Sequence, residues 1–227
     1  KIRVIVGKAG KTPTPLLCTE MRFVEFSPYW NVPPSIAKGE TVPRLRRDPG
    51  YLHRSGMEFV SADGKVATEY SSANLDAVER GQLRLRQKPS RGNALGQIKF
   101  ILPNTDGIYL HHTPTPQLFR RDRRDFSHGC VRVETPVDLA SFVLADQPAW
   151  TRERIAKAMD RGKSSFATLR EPLPVLVTYQ SAVHRDRRLY FFPDIYEQDT
   201  SLSQALRRHS NQTKASSPTR TTKNSSL

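Results

Sequence analysis

Short β-type runs, cut apart by proline and glycine, restrict this chain to a mainly β fold. "MRFVEF" (21–26) and "QLRLRQ" (82–87) alternate in the manner of strands with one buried face. "QIKFIL" (97–102) and "GIYLHH" (107–112) continue the series, and "IRVIV" (2–6) opens it, ended by Gly7. "TPTPL" reads as an extended connector, because each proline biases the residue before it away from helix. "SPYWNVPPS" reads as a packed loop. From Ile36 to about Glu79 the chain turns polar and irregular, with short helices expected near Pro49–Arg54 and Ala73–Arg80. "TPVDLASFVL" predicts a helix with Thr135 as its cap, Pro136 in its first turn and Asp138 completing a capping box. "TRERIAKAMD" predicts a second, amphipathic helix. "LPVLVTYQ" and "RRLYFFPD" are expected to pair as a hairpin around "SAVHRD". The expected class is α+β: mainly β, with peripheral helices and an irregular insertion between early and middle strands. No internal repeat is evident.

With 227 residues the chain is long enough for one large domain or two small ones. Its net charge is +14. Residues 201–227 hold Arg207, Arg208, Lys214, Arg220 and Lys223 without an acid, and removing that +5 leaves +9 on the rest. A basic surface suits an anionic partner: nucleic acid, a membrane surface or a cell-wall polymer. No nucleic-acid module is visible, so nucleic acid is not expected. No run of eighteen apolar residues occurs, so no membrane span is expected. Lys1 leads straight into a strand-like run, and the chain reads as a trimmed mature fragment. Residues 209–227, rich in Ser, Thr and Asn, are expected to be disordered.

The chemistry concentrates in "DFSHGCVRVE" (125–134), which holds one of the two cysteines. A thiol attacks as thiolate, so its pKa near ~8.5 must be lowered or a base must take its proton. His128 lies two residues before Cys130, and His111 nineteen residues before, at the end of a predicted strand. Gly129 would let a substrate carbonyl approach the backbone, where the Gly129 and Cys130 N–H groups could form an oxyanion hole. Arg132 adds a fixed cation that favours thiolate or holds a carboxylate. Three readings stand at this point. Cys130 is a nucleophile, or a structural thiol or disulfide partner of Cys18, or one ligand of a zinc set with His111, His112 and His128. Against zinc, adjacent His111 and His112 should point to opposite faces of a strand.

The string from His111 to Cys130, "H-x15-S-H-G-C", resembles the signature of the L,D-transpeptidases, bacterial thiol enzymes that cross-link peptidoglycan. "IYLHHTP", "LFRRDRRDFSHGCVRVETPVDLA", "FSPYWNVPPSIA", "DPGYL" and "LRQKPSRGNALGQIKF" resemble one branch of it, the large Gram-negative enzymes with a substrate-capping subdomain. The resemblance covers roughly residues 1–200. It implies a β-sandwich-like catalytic domain with a short capping insertion at about 35–82, which Trp30 and Tyr51 would anchor, followed by the basic tail 201–227. It implies Cys130 as nucleophile and His111 as general base. His128 would shape the loop and polarise the substrate carbonyl, and Gly129 and Cys130 would supply oxyanion donors. Arg132 would bind a substrate carboxylate or hold the loop, and Tyr109 and Ser127 would line the cleft. No cofactor and no metal are implied. The partners would be peptidoglycan stem peptides and other cell-wall enzymes, in the periplasm. The acyl acceptor stays open between a diamino-acid amine, water (an L,D-carboxypeptidase) and a lipoprotein amine. A non-catalytic wall-binding module is the remaining alternative. This branch commonly carries a separate peptidoglycan-binding domain, which has no counterpart here.

Overall fold

The computed structural model describes residues 1–215. Thirteen strands are described: β1 (Val4–Gly7), β2 (Leu17–Phe26), β3 (Trp30–Asn31), β4 (Met57–Ser61), β5 (Val66–Ala67), β6 (Leu83–Gln87) and β7 (Ile98–Ile101), then β8 (Leu110–His111), β9 (Asp125–Ser127), β10 (Val131–Val133), β11 (Ser165–Val177), β12 (Ala182–Arg185) and β13 (Arg188–Phe191). Seven of them form one mixed sheet in the order β11-β2-β7-β8-β10-β1-β9. The pairs β10/β8 and β1/β9 are parallel and the others antiparallel. Helices lie outside the sheets, so the class is the expected α+β.

The sheet buries Met21, Val24, Phe26, Ile98, Phe100 and Leu102 against two helices, Pro136–Val143 and Arg152–Asp160. The second helix begins as its sequence predicts, with Thr151 Oγ1 accepting the Arg154 N–H. The first does not. Thr135 makes no side-chain cap bond, and the Asp138 carboxylate is drawn to Arg152 and the Thr135 hydroxyl instead. The expected hairpin is also redrawn. "LPVLV" pairs with β2, Leu173 to Val177 against Met21 to Leu17. β11 is an edge strand, where Pro172 and Pro174 cost no interior ladder bond. "RRLYF" pairs instead with "AVHR" across Asp186 and Arg187, whose φ values of 51° and 59° suit a tight two-residue turn.

The irregular insertion folds on its own core. A four-stranded sheet, β3-β6-β4-β5, is flanked by short helices at Pro34–Ile36, Val42–Arg47, Tyr51–Arg54 and Ser72–Glu79. Val42, Leu45, Leu52, Phe59, Leu75 and Leu85 fill the space between them. The sheet of this region reaches from Trp30 to Gln87, because β3 pairs with β6. Between the first two helices, Ala37–Thr41 forms a π-helical turn. The wide turn projects Glu40 outward while Ala37 and Thr41 stay buried.

The first compact unit ends at Val177 and a second begins at Thr178. Within the second, Tyr179 stacks on Tyr196 with centroids 5.1 Å apart, and its hydroxyl donates to Asp194 at 2.6 Å. A helix covers Gln198–Ala215. The start of the stretch expected to be disordered is therefore helical: Leu202, Gln204, Ala205, Leu206 and Arg207 are good helix formers and carry the helix into it. The remainder of that expectation, residues 216–227, lies outside the described residues. Among the described residues no helix is long and apolar enough to cross a membrane.

Candidate active site

A cleft of about 410 Å³ opens beside β7, β8 and β10. Tyr109, His111, Ser127, His128, Cys130 and Arg132 all line it, with Tyr29, Trp30 and Ile36 from the side of the insertion. The register explains the convergence. Lys99 pairs with His111 across β7/β8, and His111 pairs with Arg132 across β8/β10. Residues opposite one another share a face, so Lys99, His111 and Arg132 form one row. Cys130 and Tyr109 stand two residues before Arg132 and His111, just outside β10 and β8, and line the same cleft. The Val131 N–H donates to the Tyr109 carbonyl at 3.1 Å and fixes that step.

The turn before Cys130 is held from below. Ser127 is buried, and its hydroxyl donates to the Cys130 carbonyl at 2.5 Å while accepting the Gly129 N–H at 3.2 Å. Thr14 Oγ1 accepts the Gly7 N–H at 2.8 Å and donates to the Gly129 carbonyl at 2.7 Å. Asp125 accepts the Ala9 N–H at 3.1 Å and Arg123 Nε at 2.6 Å. Gly129 has φ +111°, and an added Cβ would stand 3.1 Å from Ile108 Cδ1, so the turn requires glycine. Of the two expected oxyanion donors, Gly129 N–H is thus engaged by Ser127. Among the described residues the Cys130 N–H has no acceptor.

Both cysteines are free. The Cys130 thiol donates to the Gly107 carbonyl at 3.7 Å. Burial raises its pKa, while Tyr109, Lys99 and Arg132 pull it back by favouring thiolate. Burial likewise pushes up the Tyr109 phenol, reinforced by the neighbouring thiol. His111 is 4% exposed, and burial with the Arg132 charge pushes its pKa down to about 3. Its Nδ1 lies 2.5 Å from the His112 carbonyl and must be the donor there, leaving Nε2 as the basic nitrogen of the neutral ring. Among the described residues no hydrogen bond joins His111 to Cys130. The resting pair is therefore a neutral thiol beside a neutral imidazole.

The other expected residues separate in role. His112 turns away from His111 and packs on Gly96, where an added Cβ would come within 2.6 Å of its Nδ1. That nitrogen accepts the Gln97 N–H at 3.4 Å. His128 is exposed and its Nε2 lies 2.7 Å from Glu40 Oε1 on the π-helical turn. Trp30 lines the cleft and packs on the insertion core, whereas Tyr51 packs on that core under Arg44, 3.6 Å from its ring centroid. Sequence reasoning passed over Lys99, Thr14, Glu40 and Asp106, a further cleft residue. Only Lys99 left a signal, a charge inside the apolar run "QIKFIL". Among the described residues no group of three or more His, Cys, Asp or Glu side chains could hold a metal ion.

Sheet and cleft together define an α+β domain with a thiol, an imidazole and a guanidinium on one wall. Such a domain is what comparison with known proteins returns. The family model of the L,D-transpeptidase catalytic domain (YkuD) matches residues 1–160. A Haemophilus influenzae protein named "Putative L,D-transpeptidase" is 32% identical over 204 residues, which are 89% of this chain and 41% of that protein. The chain belongs to the L,D-transpeptidase catalytic-domain family, and it spans less than half the length of this relative.

Proposed function

We propose that this domain is a peptidoglycan L,D-transpeptidase that forms 3→3 cross-links through a Cys130 thioester, in the periplasm. The observation that carries the reading is the placement of Cys130, His111, Arg132 and Tyr109 on one wall of one cleft by strand register. In the first half-reaction the Cys130 sulfur bonds to the carbonyl carbon of the donor stem's third residue. His111 Nε2 takes the thiol proton as the S–C bond forms. The Cys130 N–H faces the developing oxyanion. The C–N bond to the terminal D-residue then breaks, and the imidazolium returns its proton to the leaving amine. In the second half, a side-chain amine of another stem attacks the thioester, His111 removes its proton, and the thiol is restored. Acyl activation is conserved throughout, so no nucleotide is consumed. The insertion acts as the capping subdomain: Tyr29, Trp30 and Ile36 cover the donor and exclude water from the thioester.

The test is mass spectrometry of muropeptides after incubating the protein with tetrapeptide-rich peptidoglycan. A 3→3 dimer is the expected product. Tripeptide alone would identify water as acceptor, and unchanged tetrapeptide would overturn the reading.

A further inference from the structure

The row that brings His111 to the cleft also carries a cation the mechanism above does not use. Lys99 on β7 and Arg132 on β10 flank His111, two strand spacings or about 10 Å apart along the sheet. Both line the cleft and both are half-buried. Among the described residues neither has a carboxylate partner. The acid next in the row, Glu25, accepts the Ser164 hydroxyl at 3.0 Å. Asp106, the acid lining the cleft, is exposed and makes no ion pair among the described residues. Lys99 Nζ sits 4.2 Å from the Tyr109 ring centroid, and Lys99, Tyr109 and Cys130 line the same cleft. The ammonium therefore lies over the Tyr109 ring, in the cleft that Cys130 lines.

Lys99 makes no ion pair among the described residues, so its ammonium is open to a charge-assisted bond with a substrate anion. The donor peptide brings one to this place. Its terminal carboxylate is separated from the scissile carbonyl only by the amide nitrogen and one Cα, so it must lie close to the Cys130 sulfur. We propose that Lys99 is a specificity residue that binds the chain-terminal carboxylate of the donor tetrapeptide and so selects stems ending in a free acid. The proposal rests on the acyl-transfer reading above. It adds a consequence for the leaving group. The D-residue departs as a carboxylate still paired with Lys99, which holds its amine near His111 for protonation. Lys99 also shares with Arg132 the electrostatic support of the thiolate.

The test uses a soluble tetrapeptide as the free acid and as its C-terminal amide, with Lys99→Met and Lys99→Arg variants. Binding is measured by calorimetry in the Cys130→Ala background, and thioester formation by intact mass with Cys130 present. The expected result is that Lys99→Met weakens binding of the acid about 10- to 100-fold, as for loss of a charge-assisted bond, and leaves the amide within about threefold. Lys99→Arg should recover most of the acid binding. Equal weakening of acid and amide would reduce Lys99 to packing on Tyr109 and overturn the proposal. So would a wild-type domain indifferent to amidation. If acid-selective, Lys99-dependent binding appears but no thioester forms, the transfer reading falls and the Lys99 assignment stands. If thioester forms equally from acid and amide in all three proteins, the assignment falls alone.

Discussion

His128 Nε2 lies 2.7 Å from Glu40 Oε1, which ties the turn before Cys130 to the π-helical turn of the insertion. His128 therefore has a second partner beside the substrate carbonyl that its motif position suggests. The side chains are 46% and 60% exposed, so solvent screens the contact to below about 1 kcal/mol. Glu40→Gln should speed amide hydrogen exchange in residues 34–47 by no more than about fivefold and change donor acylation by a similar factor. His128→Ala should add little on top of it. A hundredfold loss from Glu40→Gln would mean that the contact is part of the chemistry.

The pH behaviour follows from the resting pair. Burial holds the Cys130 thiol above its ordinary pKa, so alkylation without substrate should be slow at neutral pH and still rising above pH 9. Arg132→Gln and Tyr109→Phe each remove a group that favours thiolate, and each should move the rise further up. His111 is neutral down to about pH 3, so donor acylation should not fall between pH 7 and 5. An acid limb near pH 6.5, the unperturbed histidine value, would contradict this account of the base.

How much of this was readable in advance depended on range. The strands around Ile5, Val24 and Phe100 were legible because alternation is local. The hairpin was misread because the β-propensity of "LPVLV" does not say which strand it joins. Its true partner, β2, lies about 150 residues earlier. Cys130, His111, Gly129 and Arg132 stood out through their spacing. Lys99 and Thr14 did not, because they reach the site through register and through a crossing of the chain near Gly7. The Thr135 box failed since Arg152, from another helix, competes for Asp138.

His111 and His112 should behave differently on truncation. His111→Ala should cost on the order of 10² to 10⁴ in acylation rate, as for loss of a general base. His112→Ala should cost far less in rate. The reverse order would assign the base to the wrong residue. Gly96→Ala should lower stability by roughly 1–3 kcal/mol, since its Cβ meets the His112 ring and its φ is +63°. Combining it with His112→Ala should recover the steric part and leave the backbone part, read from denaturant midpoints.

Two buried groups contribute to the acid sensitivity of the fold. Asp125 is held down to about 2, first by Arg123 and then by the Ala9 N–H, against ~3.9 unfolded. Its contribution is present above about pH 4 and is lost as pH falls towards 2. His111 is also depressed, so the unfolded chain takes up its proton first, and stability should begin to fall below about pH 6.5. Asp125→Ala should cost about 1–2 kcal/mol at pH 7, after discounting for the exposed Arg123, and flatten the loss below pH 4. Urea unfolding across pH 2–7 checks both; a stability constant from pH 7 to 4 would contradict the His111 reading.

The central claim is that the Cys130 sulfur carries the acyl group. It is tested most directly by intact-mass analysis after exposure to a carbapenem, whose strained lactam offers a carbonyl to the same thiol. The account predicts one adduct per chain, mapped to Cys130 by peptide digestion and absent from Cys130→Ala, with Cys18 unmodified. An adduct that survives Cys130→Ala, or a wild-type domain whose mass does not change, would contradict it.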